Sequence, residues 1–384
     1  MGYTFPDYGR SSLSITSSIF GYFGVKGLTY PKLTEIEEKL NTYKPKKIVL
    51  LLADGMGENL INRHLPEDSF LRRHDAGTVS AVFPSTTTAA TTSIWTGLSP
   101  LEHGWLGWSL YFKECAQQID TFIGTESHTG VRYPTGSPAD KLMELPATIA
   151  RVDEDVDTLM IFPFDSGATK GTKVKVLARE LEQIPSAVVP FMRGEGRKLC
   201  LIYNGEPDHT MHAEGVDCAH TKRNFERVDA VAKALAERLP EDTLLIVTAD
   251  HGLVDSTEWV VINEIPELDR CLWMPPAIEG RAAAFYVKPF RRAQFEEAFQ
   301  KYCGADFLLF TREEALEKHL FGLGTPHPKV EDFMGDYIAC ATGMRNIFYK
   351  TIVGKIPDMI GQHAGLTEDE MTVPVVLAMG ENGK

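Results

Sequence analysis

Apolar residues run unbroken through several short stretches of the chain and recur in steps of three and four through segments between them. Lys47-Ile48-Val49-Leu50-Leu51-Leu52-Ala53, Thr158 to Phe164, Lys198 to Asn204 and Thr243 to Ala249 are apolar runs of the kind that parallel strands buried on both faces show. From Asp217 to Leu239, residues Phe225, Val228, Val231, Leu235 and Leu239 fall on one helical face. Further helices are expected over Ser12 to Phe23, in LTEIEEKLNTY, in DKLMELPATIARV and in TKVKVLARELEQI, with loops filling the rest of residues 110 to 157. Strands alternating with helices at this spacing predict an α/β fold, a mostly parallel central sheet with helices on both faces. Between residues 270 and 350 the character changes, with strand-like AAAFYV, FLLF, DYIACA and NIFY around helix-like RRAQFEEAFQKY and REEALEKHL. The expected organisation is a core of residues 1–265 and 351–384 carrying a small α+β insertion, residues 266–350.

One corner departs from this rhythm. The run Val79 to Phe83 ends at Pro84, Ser85-Thr86-Thr87-Thr88 crowd the turn, and small residues continue without a breaker to Gly97. A strand, a tight corner and a helix start follow, and a first helical turn carries unpaired N–H groups and partial positive charge. A hydroxyl there serves either as an ordinary N-cap or as a nucleophile aimed at an anion.

Polar residues at the strand ends separate these readings. Asp54-Gly55-Met56-Gly57 follows the first apolar run, Glu206-Pro207-Asp208 and His212 the third, and Asp250-His251-Gly252 the fourth; His363 sits in the glycine-flanked Gly361-Gln362-His363-Ala364-Gly365. The carboxyl ends of strands are where open α/β sheets bind ligands. Asp208 and His212, four apart, can reach one ion. Three aspartates and three histidines suit two divalent ions with a hydroxyl or phosphate between them.

Charge narrows the partner. With 384 residues and a formal net charge of −14, the chain repels nucleic-acid duplexes and anionic membranes. A small anionic substrate is compatible if bound cations reverse the local field. Six scattered cysteines without close pairs, no secretory leader and no 18-residue apolar stretch give the expectation of a cytoplasmic protein with reduced thiols.

The ordered set Ala53-Asp54-Gly55-Met56-Gly57, Phe83-Pro84-Ser85-Thr86-Thr87, Thr96-Gly97-Leu98-Ser99-Pro100 with His103-Gly104, Glu206-Pro207-Asp208 with His212, Thr248-Ala249-Asp250-His251-Gly252 and Gly361-Gln362-His363-Ala364-Gly365 resembles the alkaline phosphatase superfamily, in particular its type I phosphodiesterase and nucleotide pyrophosphatase branch. The resemblance implies that Asp208, His212 and His363 hold one metal ion and Asp54, Asp250 and His251 the other. Zinc is the first expectation and iron or manganese the alternatives. It further implies a nucleophile nine residues before Thr96, hence Thr87, with Thr86 and Thr88 as neighbouring alternatives. Thr87 would also bind the second ion and form a phospho-threonine intermediate.

The substrate implied is small and phosphorylated, a nucleotide or other phosphodiester. A phosphomonoesterase, a phosphonoacetate hydrolase and a metal-binding protein without turnover are the other readings. One position departs from the branch. Where an asparagine would donate to a phosphoryl oxygen, this chain has Trp108, which offers only its indole and backbone N–H. With Trp105, it serves either as packing or as a stacking surface for a base.

Overall fold

The computed structural model describes residues 2–133, 136–163, 170–256, 258–351 and 358–382. The strands, in chain order, begin with β1 (Lys47–Ala53), β2 (Asp75–Ser80), β3 (Ser109–Phe112), β4 (Gln117–Asp120), β5 (Thr125–Glu126) and β6 (Val156–Phe162). They continue with β7 (Val174–Leu177), β8 (Arg197–Asn204), β9 (Thr243–Thr248), β10 (Val254–Asp255), β11 (Glu258–Val261) and β12 (Ala277–Ile278). The last are β13 (Ala282–Phe285), β14 (Phe307–Thr311), β15 (Tyr337–Ala341), β16 (Arg345–Phe348), β17 (Gly361–Gln362) and β18 (Thr372–Met379).

The apolar runs form the middle of a seven-stranded sheet ordered β2-β18-β9-β1-β8-β6-β7. Strands β9, β1, β8, β6 and β7 are parallel, while β18 runs antiparallel to both β9 and β2. Every residue of β1 and β9 is buried, as strands covered on both faces require. Because β8, β1 and β9 are parallel neighbours, their carboxyl ends open on one edge, and Ala53 pairs with Asn204 there. The expected α/β class and mostly parallel central sheet are therefore present.

The second sheet is antiparallel throughout, ordered β14-β15-β13-β12-β3-β4-β5. It draws strands from Ser109–Glu126 as well as from 277–341, so the segment 266–350 makes only part of this layer. The strands β3 to β5 correct the expectation of loops after residue 110. Leu110 and Phe112 alternate inward with half-buried Ser109 and Tyr111, a pattern too short to stand out in the sequence.

Two helical expectations also need correction. In TKVKVLARELEQI, residues Val174–Leu177 form β7 on the sheet edge beside β6, followed by a 3-10 turn over Leu181–Gln183 and a helix over Ile184–Arg193. Alternating β-branched valines favour the strand, and lysines beside them suit an edge. In DKLMELPATIARV, helix Pro138–Leu142 stops before Pro146, and only a 3-10 turn over Thr148–Arg151 follows. Phe164, the expected end of its strand, lies outside the described residues.

The N-terminal segment supports the hydroxyl-rich corner. Its helix Ser12–Tyr22 is buried from Ser12 to Phe20 and packs on the helix Thr87–Thr96, where Thr16 Oγ1 donates to the Ile94 carbonyl at 3.1 Å. All six cysteines are unpaired, and among the described residues no helix is long and apolar enough to cross a membrane.

Candidate active site

Each strand-end residue reaches one spot. Asp54 follows β1, Asp250 and His251 follow β9, and Asp208 and His212 lie on the helix Asp208–Glu214 after β8. The β10–β17 pairing, with Val254 opposite Gln362, brings His363 in from late in the chain. Gly55, at φ +70°, lets the turn after β1 pass within contact of Asp208; a Cβ there would lie 2.9 Å from Asp208 Cβ.

Two ligand clusters result. Asp208, His212 and His363 form one, and Asp54, Asp208 and His251 form another, with the donor atoms of each within 4.8 Å of one another. Asp208 belongs to both. Asp250 joins through Oδ2, 3.5 Å from His251 Nε2. The first trio coincides with the set implied by the sequence; in the second, Asp208 stands closer than expected beside Asp54 and His251.

The imidazoles are oriented for metal binding. Nδ1 of His212, His251 and His363 lies 2.8, 3.1 and 3.2 Å from the carbonyls of Gly361, Gly252 and Ser85. Carbonyls only accept, so each Nδ1 carries the proton and each Nε2 presents its lone pair to the cluster. His212 Nε2 lies 3.3 Å from Asp208 Oδ2; against burial, that carboxylate raises the imidazole above its ordinary range, so the pair holds either a proton or a cation between them. The buried oxygens Asp208 Oδ1 and Asp250 Oδ2 have no hydrogen-bond partner among the described residues. Orphaned carboxylate oxygens beside imidazole lone pairs, with no thiolate, fit hard or borderline divalent cations.

The electrostatics show the same strain. Burial, then the neighbouring Asp250 and Asp208 charges, push the Asp54 carboxyl well above its ordinary range, and burial raises Asp250. Asp208 goes the other way; burial opposes its charge, but the neighbouring His212 outweighs burial. His363 is held neutral by burial and then by His251, whose ring stacks on it at 3.9 Å.

At the corner, Thr87 opens the helix Thr87–Thr96, and its Oγ1 lies 3.3 Å from Asp54 Oδ1 and 3.2 Å from His251 Nε2. Thr86 and Thr88 do not reach these groups. Thr86, the N-cap residue, makes no capping bond; its Oγ1 donates instead to Glu279 Oε1 at 2.8 Å. Thr88 is 2% exposed, and its hydroxyl has no partner among the described residues.

Trp108 lies on the cavity wall, 37% exposed and stacked on Phe122 with centroids 5.7 Å apart. Its backbone N–H is already committed, donating to Glu279 Oε1 at 2.8 Å. Trp105 packs instead, its indole N–H donating to the Met143 carbonyl at 3.2 Å. His103, near the site in sequence, is internal, bonded to Ser93 Oγ at 3.0 Å and to the Trp105 N–H.

The sequence reading omitted two residues. Tyr203 donates its hydroxyl to Asp54 from the end of β8. Glu279, in the turn between β12 and β13, faces the site from the second sheet. Tyr203 looks like one more apolar strand position, and nothing around Glu279 sets it apart. The cavity over the cluster has a volume of about 920 Å³ and lies between the strand ends and the second sheet.

A family model described as type I phosphodiesterase / nucleotide pyrophosphatase matches residues 48–122 and 124–322, more than half of the chain. Human ectonucleotide pyrophosphatase / phosphodiesterase 5 is similar in structure, with 17% identity, a TM-score of 0.63, and coverage of 86% of this chain and 87% of that one. Its murine counterpart, in an inactive form in complex with AMP, gives 17% identity, a TM-score of 0.62, and coverage of 86% and 87%. Phosphonoacetate hydrolase from Sinorhizobium meliloti, in complex with phosphonoformate, gives 15% identity, a TM-score of 0.64, and coverage of 87% and 90%. Comparison with curated protein sequences finds no match. At these identities the structural likeness establishes the shared fold.

Proposed function

Because the chain belongs to the type I phosphodiesterase / nucleotide pyrophosphatase family, we propose that it hydrolyses small phosphodiesters or nucleotide pyrophosphate bonds, with Thr87 as nucleophile. Membership supports phosphoester hydrolysis, and the finer reading rests on one observation. Thr87 Oγ1 stands 3.2 Å from His251 Nε2 and 3.3 Å from Asp54 Oδ1, at a helix N-terminus on the floor of the cavity.

In this reading Asp208, His212 and His363 hold one divalent ion and Asp54, Asp250, His251 and Thr87 the other, with Asp208 close to both and zinc the first candidate. The ions would supply positive charge that favours the ionised Thr87 hydroxyl and offsets the charge of the phosphate. Thr87 Oγ1 attacks phosphorus in line, the bond to the leaving oxygen breaks, and phospho-Thr87 forms. Water then attacks the same phosphorus and returns the hydroxyl. The positive end of the helix Thr87–Thr96 favours the charge that builds on the phosphoryl oxygens. Tyr203 keeps Asp54 oriented through its hydroxyl.

Aromatic walls favour an organic substituent on the phosphate. Trp108 and Phe122 on one side, and Trp259 and Phe348 with centroids 5.8 Å apart, line the cavity. Such surfaces suit a nucleobase or a similar flat apolar group. The six unpaired cysteines fit a reducing compartment, and a cytoplasmic location is part of this proposal.

Hydrolysis of bis-p-nitrophenyl phosphate is expected to exceed that of p-nitrophenyl phosphate, with activity lost on chelation and restored by zinc. Faster cleavage of the monoester, or release of phosphate from phosphonoacetate alone, would overturn the diesterase reading. Metal analysis provides a second check. Asp208→Ala is expected to bind less metal than any other single ligand variant, because Asp208 alone belongs to both clusters. Full metal content in that variant would refute the assigned ligand sets.

A further inference from the structure

Glu279 brings a carboxyl group to a cavity meant for an anion. It is half-buried and receives two hydrogen bonds on the same oxygen; Thr86 Oγ1 and the Trp108 N–H both donate to Oε1, each at 2.8 Å. Oε2 receives none among the described residues, and Glu279 lines the cavity beside the metal-ligand cluster. As a carboxylate, Glu279 would set a negative charge beside the phosphoryl oxygens. As a neutral acid it behaves differently. Two donors fix Oε1 as the carbonyl oxygen, so the proton resides on Oε2, the oxygen without a partner among the described residues.

We propose that Glu279, as the neutral acid, donates a hydrogen bond from Oε2 to a non-bridging oxygen of the phosphoryl group attacked by Thr87. It is a catalytic residue in the sense that it touches the reacting group; its proton stays on Oε2 throughout, and no bond to Glu279 forms or breaks. The neutral acid then does what a side-chain amide would do, accepting on one atom and donating from the other. The Trp108 N–H is thereby a positioning contact rather than a phosphate donor.

The surroundings favour this protonation state. Burial raises the Glu279 carboxyl to about 7, against the bonds from Thr86 and Trp108 that favour its charge. The titratable groups facing it are His212, on the helix Asp208–Glu214, which lowers it when protonated, and Asp120, on β4, which raises it. Asp208, His363 and exposed Arg179 line the same cavity. A neutral donor is therefore available on the acid side of neutrality and lost as pH rises through about 7.

The inference rests on the phosphodiesterase reading, and the test separates the two. The parent protein, Glu279→Gln and Glu279→Ala are compared, with metals bound, by kcat/KM for bis-p-nitrophenyl phosphate. The same proteins are titrated with inorganic phosphate by calorimetry. Glutamine keeps an acceptor for Thr86 and Trp108 and an N–H donor toward the cavity at every pH. At about pH 6, Glu279→Gln is expected to stay within about 3-fold of the parent and Glu279→Ala to lose about 10²-fold. Toward about pH 8 the parent is expected to fall relative to Glu279→Gln by about 10-fold, as its proton is lost. Phosphate binding should follow the same order, with metal content unchanged in both variants.

Equal loss in Glu279→Gln and Glu279→Ala, or full activity in Glu279→Ala, would overturn the role of Glu279. If the parent cleaves no ester while the two variants still differ in phosphate affinity, the diesterase reading fails and the contact stands.

Discussion

Thr87→Ala is expected to lower kcat/KM for bis-p-nitrophenyl phosphate by on the order of 10⁴-fold, because it removes the atom that bonds to phosphorus. Thr86 and Thr88 cannot replace it. Thr86 Oγ1 is turned to Glu279, and Thr88 lines a separate cavity with Thr91, Thr92 and Trp95. Thr88→Ala is therefore expected to fall far less than Thr87→Ala. The parent should also give a phosphorylated peptide containing Thr87 when quenched during turnover and examined by mass spectrometry. A Thr87→Ala protein with parental activity, or phosphate on a different residue, would dismiss this nucleophile.

The second large effect concerns stability. Arg281 and Glu370 are both fully buried, joined by Nε to Oε1 at 2.7 Å and Nη2 to Oε2 at 2.8 Å. Glu370 also accepts from the Gly365 N–H at 2.7 Å and from Thr367 Oγ1 at 2.7 Å, and Arg281 donates to the Gly343 and Arg345 carbonyls. The pair therefore ties the second sheet to the loop that carries His363. Removing one partner leaves the other charged and buried, which costs about 3–5 kcal/mol. Glu370→Gln is expected to lose that much in urea unfolding, with the denaturant slope unchanged. A loss below about 1 kcal/mol would mean that water or a rearranged neighbour compensates Arg281.

Much of the architecture could be read from the sequence because its strongest signals are local. The apolar runs of β1, β8 and β9 needed no knowledge of their neighbours, since a strand buried on both faces looks apolar on its own. Acids directly after those runs gave Asp54, Asp208 and Asp250, because parallel strands bring their carboxyl ends together.

What escaped was set by tertiary partners. The edge strand β7 leaves Val174, Lys175 and Leu177 exposed, so its four residues lack the continuous apolar run of the inner strands and read as part of a helix. Glu279 is one of 53 acidic residues, and only its contacts with Thr86 and Trp108 N–H distinguish it. Asp208 as a member of both clusters was equally hidden, since spacing alone cannot say which of two ions a carboxylate will face.

The position of β18 carries a consequence for how this enzyme is made. Thr372–Met379 sits between β2 and β9, inside the sheet, although it follows every other strand of the described residues. His363 comes just before it. During synthesis, the emerging chain can assemble the parallel strands β9, β1, β8, β6 and β7, but β2 has no place in that sheet until β18 leaves the ribosome to lie between them. Until β18 arrives, the side of β9 that it pairs with stays open, the kind of strand edge that promotes aggregation of a partly folded chain. The corner that carries Thr87, which follows β2, is therefore joined to the sheet through β2 only after residues 372–379 have emerged.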